Sequence, residues 1–120
     1  MTPKQFSKYL RRDGGACIHC GSVATAVPQH RAGRGMGGSK SLDKPSNVIV
    51  LCADLNGRME SDAATAAYAK KYGWKLERWQ DPEIEPVWYP LEGQWFYLDD
   101  LFERSAVSFA KDTKNVCGND

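Results

Sequence analysis

No stretch of the 120-residue sequence holds roughly 18 consecutive apolar residues, so a membrane-spanning helix is not expected. The opening Met1-Thr-Pro-Lys-Gln-Phe-Ser-Lys8 lacks the apolar core of a signal peptide, which points to a soluble cytoplasmic protein. No internal repeat and no break into two self-sufficient halves occurs, so one domain is expected over 1–102, followed by a tail over 103–120. Histidine is scarce, with two, and the four cysteines in a reducing compartment are expected to be thiols or metal ligands rather than disulfides. Acidic residues are scarce in the first half. Residues 1–58 carry nine Lys and Arg against three Asp and Glu, and residues 59–120 carry seven against twelve. An anionic partner, nucleic acid first among them, would be drawn to the first half, while a solvated surface with chance clustering stays open beside that idea. Lys and Arg are absent from residues 81–103, which hold seven acids, so this section is not expected to face a phosphate backbone.

What is present reads as an α+β chain. Thr2-Pro3-Lys4-Gln5 combines a capping residue, a proline at the first helical position and a glutamine three residues after the cap, which predicts a helix from Pro3 to about Arg12. Phe6, Tyr9 and Leu10 share one face, Lys4, Lys8, Arg11 and Arg12 leave the other basic, and Asp13-Gly14-Gly15 ends the helix. Val23 to Val27 predicts a strand ending at Pro28 that delivers Gln29-His30-Arg31 at its exit. Residues 32–46, with four glycines, three serines and a proline, form a long loop of the kind that is usually functional. Asn47 opens a second strand, Val48 to Leu51. From about Leu55 to Tyr72 the apolar spacing is helical and Gly73 stops it. Beyond it, residues 74–79, 87–89 and 94–98 read as short aromatic strands that hold all four tryptophans, and 105–120 as a loosely held tail.

Cys17-Ile-His-Cys20-Gly21 has the spacing of a metal knuckle, with a glycine that permits the tight turn. A redox dithiol lacks a strand-helix-strand frame here, and a c-type haem site would need histidine where Gly21 stands. Cys52 offers a third thiol, but the fourth position by the same spacing is Leu55. Cys117 from the tail completes a structural Zn2+ site on one reading, and on the other the thiols are small buried apolar groups. On the predicted helix Asn56 and Glu60 are four apart and share a face, where two oxygen donors can hold one ion together. An amide cap with an acidic first turn explains the same residues without a metal.

Taken in order, Cys17-x2-Cys20, Gln29-His30-Arg31, Arg34-Gly-Met-Gly-Gly38, Pro45-Ser-Asn47, Leu51-Cys52, Asn56-Gly57 and Glu60-Ser61 resemble the HNH endonuclease family, and within it the small phage-type members. The resemblance covers roughly residues 14–99. It implies a ββα-metal (His-Me finger) core over about 17–72, carrying an N-terminal helix and a C-terminal section of short aromatic strands. By position it makes His30 the general base that takes a proton from the attacking water, a task suited to an imidazole. Gln29 stands where the family places a metal ligand, commonly Asp or His. Asn47 matches the asparagine that pins the loop and orients the base. Asn56 replaces the name-giving last histidine, and Glu60 falls where some members add a ligand one helical turn later. These oxygen donors imply Mg2+ or Mn2+, and cleavage of DNA to 5′-phosphate and 3′-hydroxyl ends. Arg31, Arg34, Lys40 and Lys44 would clamp neighbouring phosphates. If a phage encodes the chain, the host cytoplasm and packaging or replication proteins are its expected setting. A relative without catalysis that binds nucleic acid or protein, and a zinc-ribbon adaptor docking through the acidic aromatic half, are the competing expectations.

Overall fold

Among the described residues the apolar run of the second strand is wholly buried, covered on both of its faces. The computed structural model describes residues 1–33 and 43–107. Strands β1 (Ala26–His30) and β2 (Val48–Cys52) pair antiparallel, from Ala26 opposite Cys52 to His30 opposite Val48. All five residues of β2 are buried. Ile49, Leu51 and Cys52 pack into the main core with Cys17, Ile18, Leu55, Met59 and Trp74, whereas Val48 and Val50 meet Tyr9, Phe6 and Leu10 on the opposite side. A strand covered on both faces reads as a continuous apolar run rather than an alternation, which is why Val48–Leu51 is visible in the sequence.

Helix α1 (Pro3–Arg12) has the expected capping box, with Gln5 N donating to Thr2 Oγ1 at 3.1 Å and Thr2 N to Gln5 Oε1 at 3.0 Å. Its last residue departs from the expected basic face. Arg12 is buried: its Nε donates to Asp13 Oδ1 at 2.8 Å, and its two terminal nitrogens donate to the Pro45 and Val48 carbonyls. Asp13 is more than a helix stop. It also accepts from Val50 N at 3.0 Å and from Tyr89 Oη at 2.6 Å, so one buried carboxylate joins α1, β2 and the C-terminal sheet.

Three boundaries differ from the sequence prediction. The first strand is displaced to Ala26–His30 and runs through Pro28. The bonds Arg31 N to Asn47 O (2.8 Å) and Ala53 N to Thr25 O (2.8 Å) put odd-numbered residues in the hydrogen-bonding phase toward β2. The missing N–H of Pro28 therefore falls on the side facing away, where it costs nothing. The single helix predicted over 55–72 is two, α2 (Ala53–Ser61) and α3 (Ala63–Lys71). Asp62 ends the first with extended dihedrals and caps the second, its carboxylate accepting from Thr65 N at 3.0 Å. Residues 104–106, read as tail, form a strand.

That strand, β5 (Arg104–Ala106), pairs with β4 (Gln94–Leu98), which pairs with β3 (Val87–Tyr89) in an antiparallel meander. The predicted strand over 74–79 is absent; only Leu76 makes an isolated parallel bridge, to Ala32. Trp88 and Trp95 face each other across β3 and β4 with ring centroids 5.5 Å apart, and Tyr72 stacks on Trp95 at 6.1 Å. Gly73 joins this sheet to α3 at φ +79°, and a Cβ there would lie 2.1 Å from the Pro86 carbonyl oxygen. Gly73→Ala is therefore expected to lose more than the roughly 1–3 kcal/mol of left-handed strain alone, seen as a lowered midpoint in a thermal melt. An unchanged midpoint would mean that the 73–86 contact does not exist.

Candidate functional site

Two groups of side chains carry chemistry, and they flank β2 and the start of α2. The first is a thiol cluster. Residues 17–22 fold into a tight knuckle in which Cys17 N donates to Ser22 O at 3.0 Å and Gly21 N to Cys17 O at 2.9 Å, with Gly21 at φ +80°. Ile18 N donates to Val50 O at 3.0 Å, which anchors the knuckle on β2. Cys52 sits at the junction of β2 and α2, where its Sγ caps the helix by accepting from Leu55 N at 3.4 Å. The sulfurs of Cys17, Cys20 and Cys52 all lie within 4.8 Å of one another. Sulfurs around a tetrahedral zinc, with bonds of about 2.3 Å, stand about 3.8 Å apart, so a small contraction closes this set.

The thiols are free and differently placed: Cys17 and Cys52 are buried and Cys20 is exposed. His19 N donates to Cys17 Sγ at 3.3 Å. Burial pushes the Cys17 thiol up, and the backbone N–H of Ser22 holds the Cys20 thiol below its ordinary range. Backbone N–H groups aimed at sulfur favour the thiolate form that a metal ligand takes. The cluster can bind a metal such as zinc. Cys117, expected as a fourth ligand, lies outside the described residues.

The second group gathers where β1 ends. The Gln29 side chain is buried and its Oε1 accepts from Asn56 Nδ2, so β1 and α2 meet through these two amides. Gln29 Nε2 donates to the His30 carbonyl at 2.8 Å and to the Trp74 carbonyl at 3.4 Å. Glu60, one turn beyond Asn56, is exposed, with Oε2 at 3.9 Å from Lys75 Nζ. Of the three residues expected to hold Mg2+ or Mn2+, the structure thus joins Gln29 to Asn56, while the Glu60 carboxylate is turned to Lys75. Cysteine alone makes up the three-ligand cluster of His, Cys, Asp or Glu found among the described residues, so any ion here would hold few protein charges.

Asn47 is buried. Its Oδ1 accepts from Ala32 N at 2.8 Å and its Nδ2 donates to Ala32 O at 3.2 Å, which ties the chain leaving β1 to the start of β2. His30 points to the other side of β1 from Gln29, and its Nε2 lies 2.7 Å from Asp43 Oδ1, both side chains being a little over a third exposed. Asp43 in turn presents its carbonyl to Tyr9 Oη, so α1 fixes the residue that fixes the imidazole. Sequence reasoning passed over Asp43. Its one signal is that it is among three acids in residues 1–58, directly before the Lys44-Pro45 exit of the glycine loop.

The proposed phosphate clamps fare differently. Arg31 is fully buried, with Nε donating to Gly73 O (2.8 Å), Nη1 to Ser46 O and Pro82 O (both 2.8 Å), and Nη2 to Glu85 O (2.7 Å). Its guanidinium is brought down to about 10 by burial, which leaves it charged at neutral pH but with no face for a phosphate. Assigning Arg31 to nucleic acid is thereby corrected: four backbone oxygens occupy its donors. Lys44 is half-exposed, with Nζ at 3.6 Å from Asp100 Oδ2. Arg34 and Lys40 lie outside the described residues. No helix among the described residues is long and apolar enough to cross a membrane. Comparison of the chain with protein-family models, with curated proteins and with solved structures finds no match.

Proposed function

We propose that the chain is a metal-dependent DNA endonuclease of the HNH class, with a ββα-metal core made of β1, β2 and α2. The observation that carries this is the contact between Gln29 and Asn56, with His30 the next residue of β1 and its imidazole on that strand's other side. These are the positions at which the resemblance assigns two metal ligands and a base, and residues 27 apart in the chain meet there. Asp43, accepting from His30 Nε2–H, leaves Nδ1 with its lone pair free to take a proton from water, and holds the ring in that orientation. Asn47 supports the same geometry by closing the chain around Ala32. Gln29, Asn56 and Glu60 would hold Mg2+ or Mn2+, which when bound supplies charge neutralisation at the scissile phosphate. The exposed Lys4, Lys8 and Arg11 of α1 present a basic face for the duplex flanks.

Plasmid nicking in Mg2+ or Mn2+ and its loss in EDTA is the test. His30→Ala is expected to reduce the rate by about 10²- to 10⁴-fold, the usual worth of a positioned general base. Cleavage that persists in EDTA, or is untouched by His30→Ala, would sink the assignment. A module that binds without cleaving is the second reading. It is favoured by the bond that already engages Gln29 Oε1 with Asn56 Nδ2 and by the approach of Glu60 to Lys75, and it requires oligonucleotide binding with no nicking under any metal.

A further inference from the structure

We propose that Lys75 is a phosphate-binding residue of the Gln29–Asn56–Glu60 site and supplies there the positive charge that buried Arg31 does not. The proposal rests on the nuclease reading above and names a residue beyond it. Residues 74–76 run beside the exit of β1: Leu76 N donates to Arg31 O at 2.7 Å, Leu76 bridges Ala32 in parallel, and the Trp74 carbonyl accepts from Gln29 Nε2. Trp74 and Leu76 are both buried, whereas the Lys75 side chain between them is about a third exposed. Lys75 reaches α2, its Nζ at 3.9 Å from Glu60 Oε2. The segment that carries Lys75 thus meets the Gln29 amide through the Trp74 carbonyl, and the ammonium itself meets the carboxylate of Glu60, one helical turn from Asn56.

The charge argument singles out the same residue. Gln29 and Asn56 are neutral, so Glu60 and Lys75 cancel, and a phosphodiester gaining charge during hydrolysis needs a cation close by. Lys44 is engaged with Asp100 at 3.6 Å and Lys70 with Glu77 at 3.0 Å, away from this site. The Lys75–Glu60 approach is looser than either, and Glu60 is largely in water, so this pair contributes little to stability. An ammonium on a four-carbon stem held by so loose a partner can swing to a non-bridging phosphate oxygen without breaking the fold.

The test pairs plasmid nicking with anisotropy binding of a labelled DNA duplex in EDTA over a salt series, on the full chain and on Lys75→Met and Lys75→Arg. Lys75→Met is expected to lower kcat/KM about 100-fold and to reduce the magnitude of the log affinity against log salt slope by about 0.9, one phosphate contact. Lys75→Arg should keep the slope and stay within about tenfold in nicking. A wild-type chain that nicks, a His30→Ala chain that does not, and a Lys75→Met chain within twofold of wild type would overturn the Lys75 proposal and leave the nuclease standing. If wild type nicks under no metal, the nuclease reading fails by itself. The salt slope then decides for Lys75, an unchanged slope overturning it and a reduced one upholding it as a phosphate contact.

Discussion

Arg31→Met is expected to cost the fold about 3 kcal/mol, read as a lower urea midpoint at unchanged m-value. Two of the four carbonyls the guanidinium satisfies, Gly73 and Ser46, are in buried bonds, and two, Pro82 and Glu85, are in partly wet ones. A buried acceptor left without a donor costs about 1–3 kcal/mol, and one that water can reach costs less. The charge's own desolvation, evident in a guanidinium brought down to about 10, works the other way and is recovered when methionine replaces it. The balance remains unfavourable because Arg31 closes the 46, 73, 82 and 85 segments on one point, and against a total stability of about 5–15 kcal/mol the loss is large. Lysine, a point charge with a different shape, should rescue only a fraction. An Arg31→Met chain that melts like wild type but binds DNA several-fold more weakly would restore Arg31 to the nucleic-acid surface.

Arg31 also shows where sequence reasoning stops. An arginine next to a candidate base, in the cationic half of the chain, reads as a phosphate clamp because its partners are invisible locally. They are backbone oxygens 15 to 54 residues away, and nothing in residue type marks a carbonyl as a partner. Asp13 fails to announce itself for the same reason, as a helix stop that turns out to join three elements. What was legible was local: the capping box of α1, the apolar run of β2, and the aromatic strands β3 and β4, each written in adjacent residues. The helix break at Asp62 was hidden because aspartate is acceptable on a helix surface. Only its carboxylate reaching Thr65 N reveals that it caps a new helix. At the site, the nearness of the three cysteines agrees with their spacing, whereas a meeting of Gln29 with Asn56 was expected from the family resemblance and not from spacing. Asp43 and Lys75 needed the topology, since one lies at the end of a loop and the other two residues past Gly73.

The thiol cluster carries the other large effect. Purified protein is expected to hold close to one zinc per chain, and its removal by a strong chelator to lower the melting temperature by about 15 °C or more. Structural zinc in small domains contributes on the order of 10 kcal/mol of apparent binding free energy, and each kcal/mol moves the midpoint of a domain this size by about 4 °C. Even a fraction of the full value therefore suffices. The loss is large because the cluster joins separate parts of the chain: the knuckle bonded through Ile18 to β2, and Cys52, which caps the helix bearing Asn56 and Glu60. Cys52→Ser should remove the metal while its hydroxyl still caps α2, but it also places a polar group at a buried position, so a fall in stability alone would be ambiguous, and metal content must be read beside it. Cys20→Ser is the cleaner variant, because Cys20 is exposed and packs against little. It should lose zinc and show nearly the stability of the chelated wild type. Cys117→Ser decides between a four-sulfur site and one completed by another group, by whether zinc is lost or kept. Metal-free protein as purified, with a melting temperature indifferent to chelator, would reduce the three cysteines to small apolar packing.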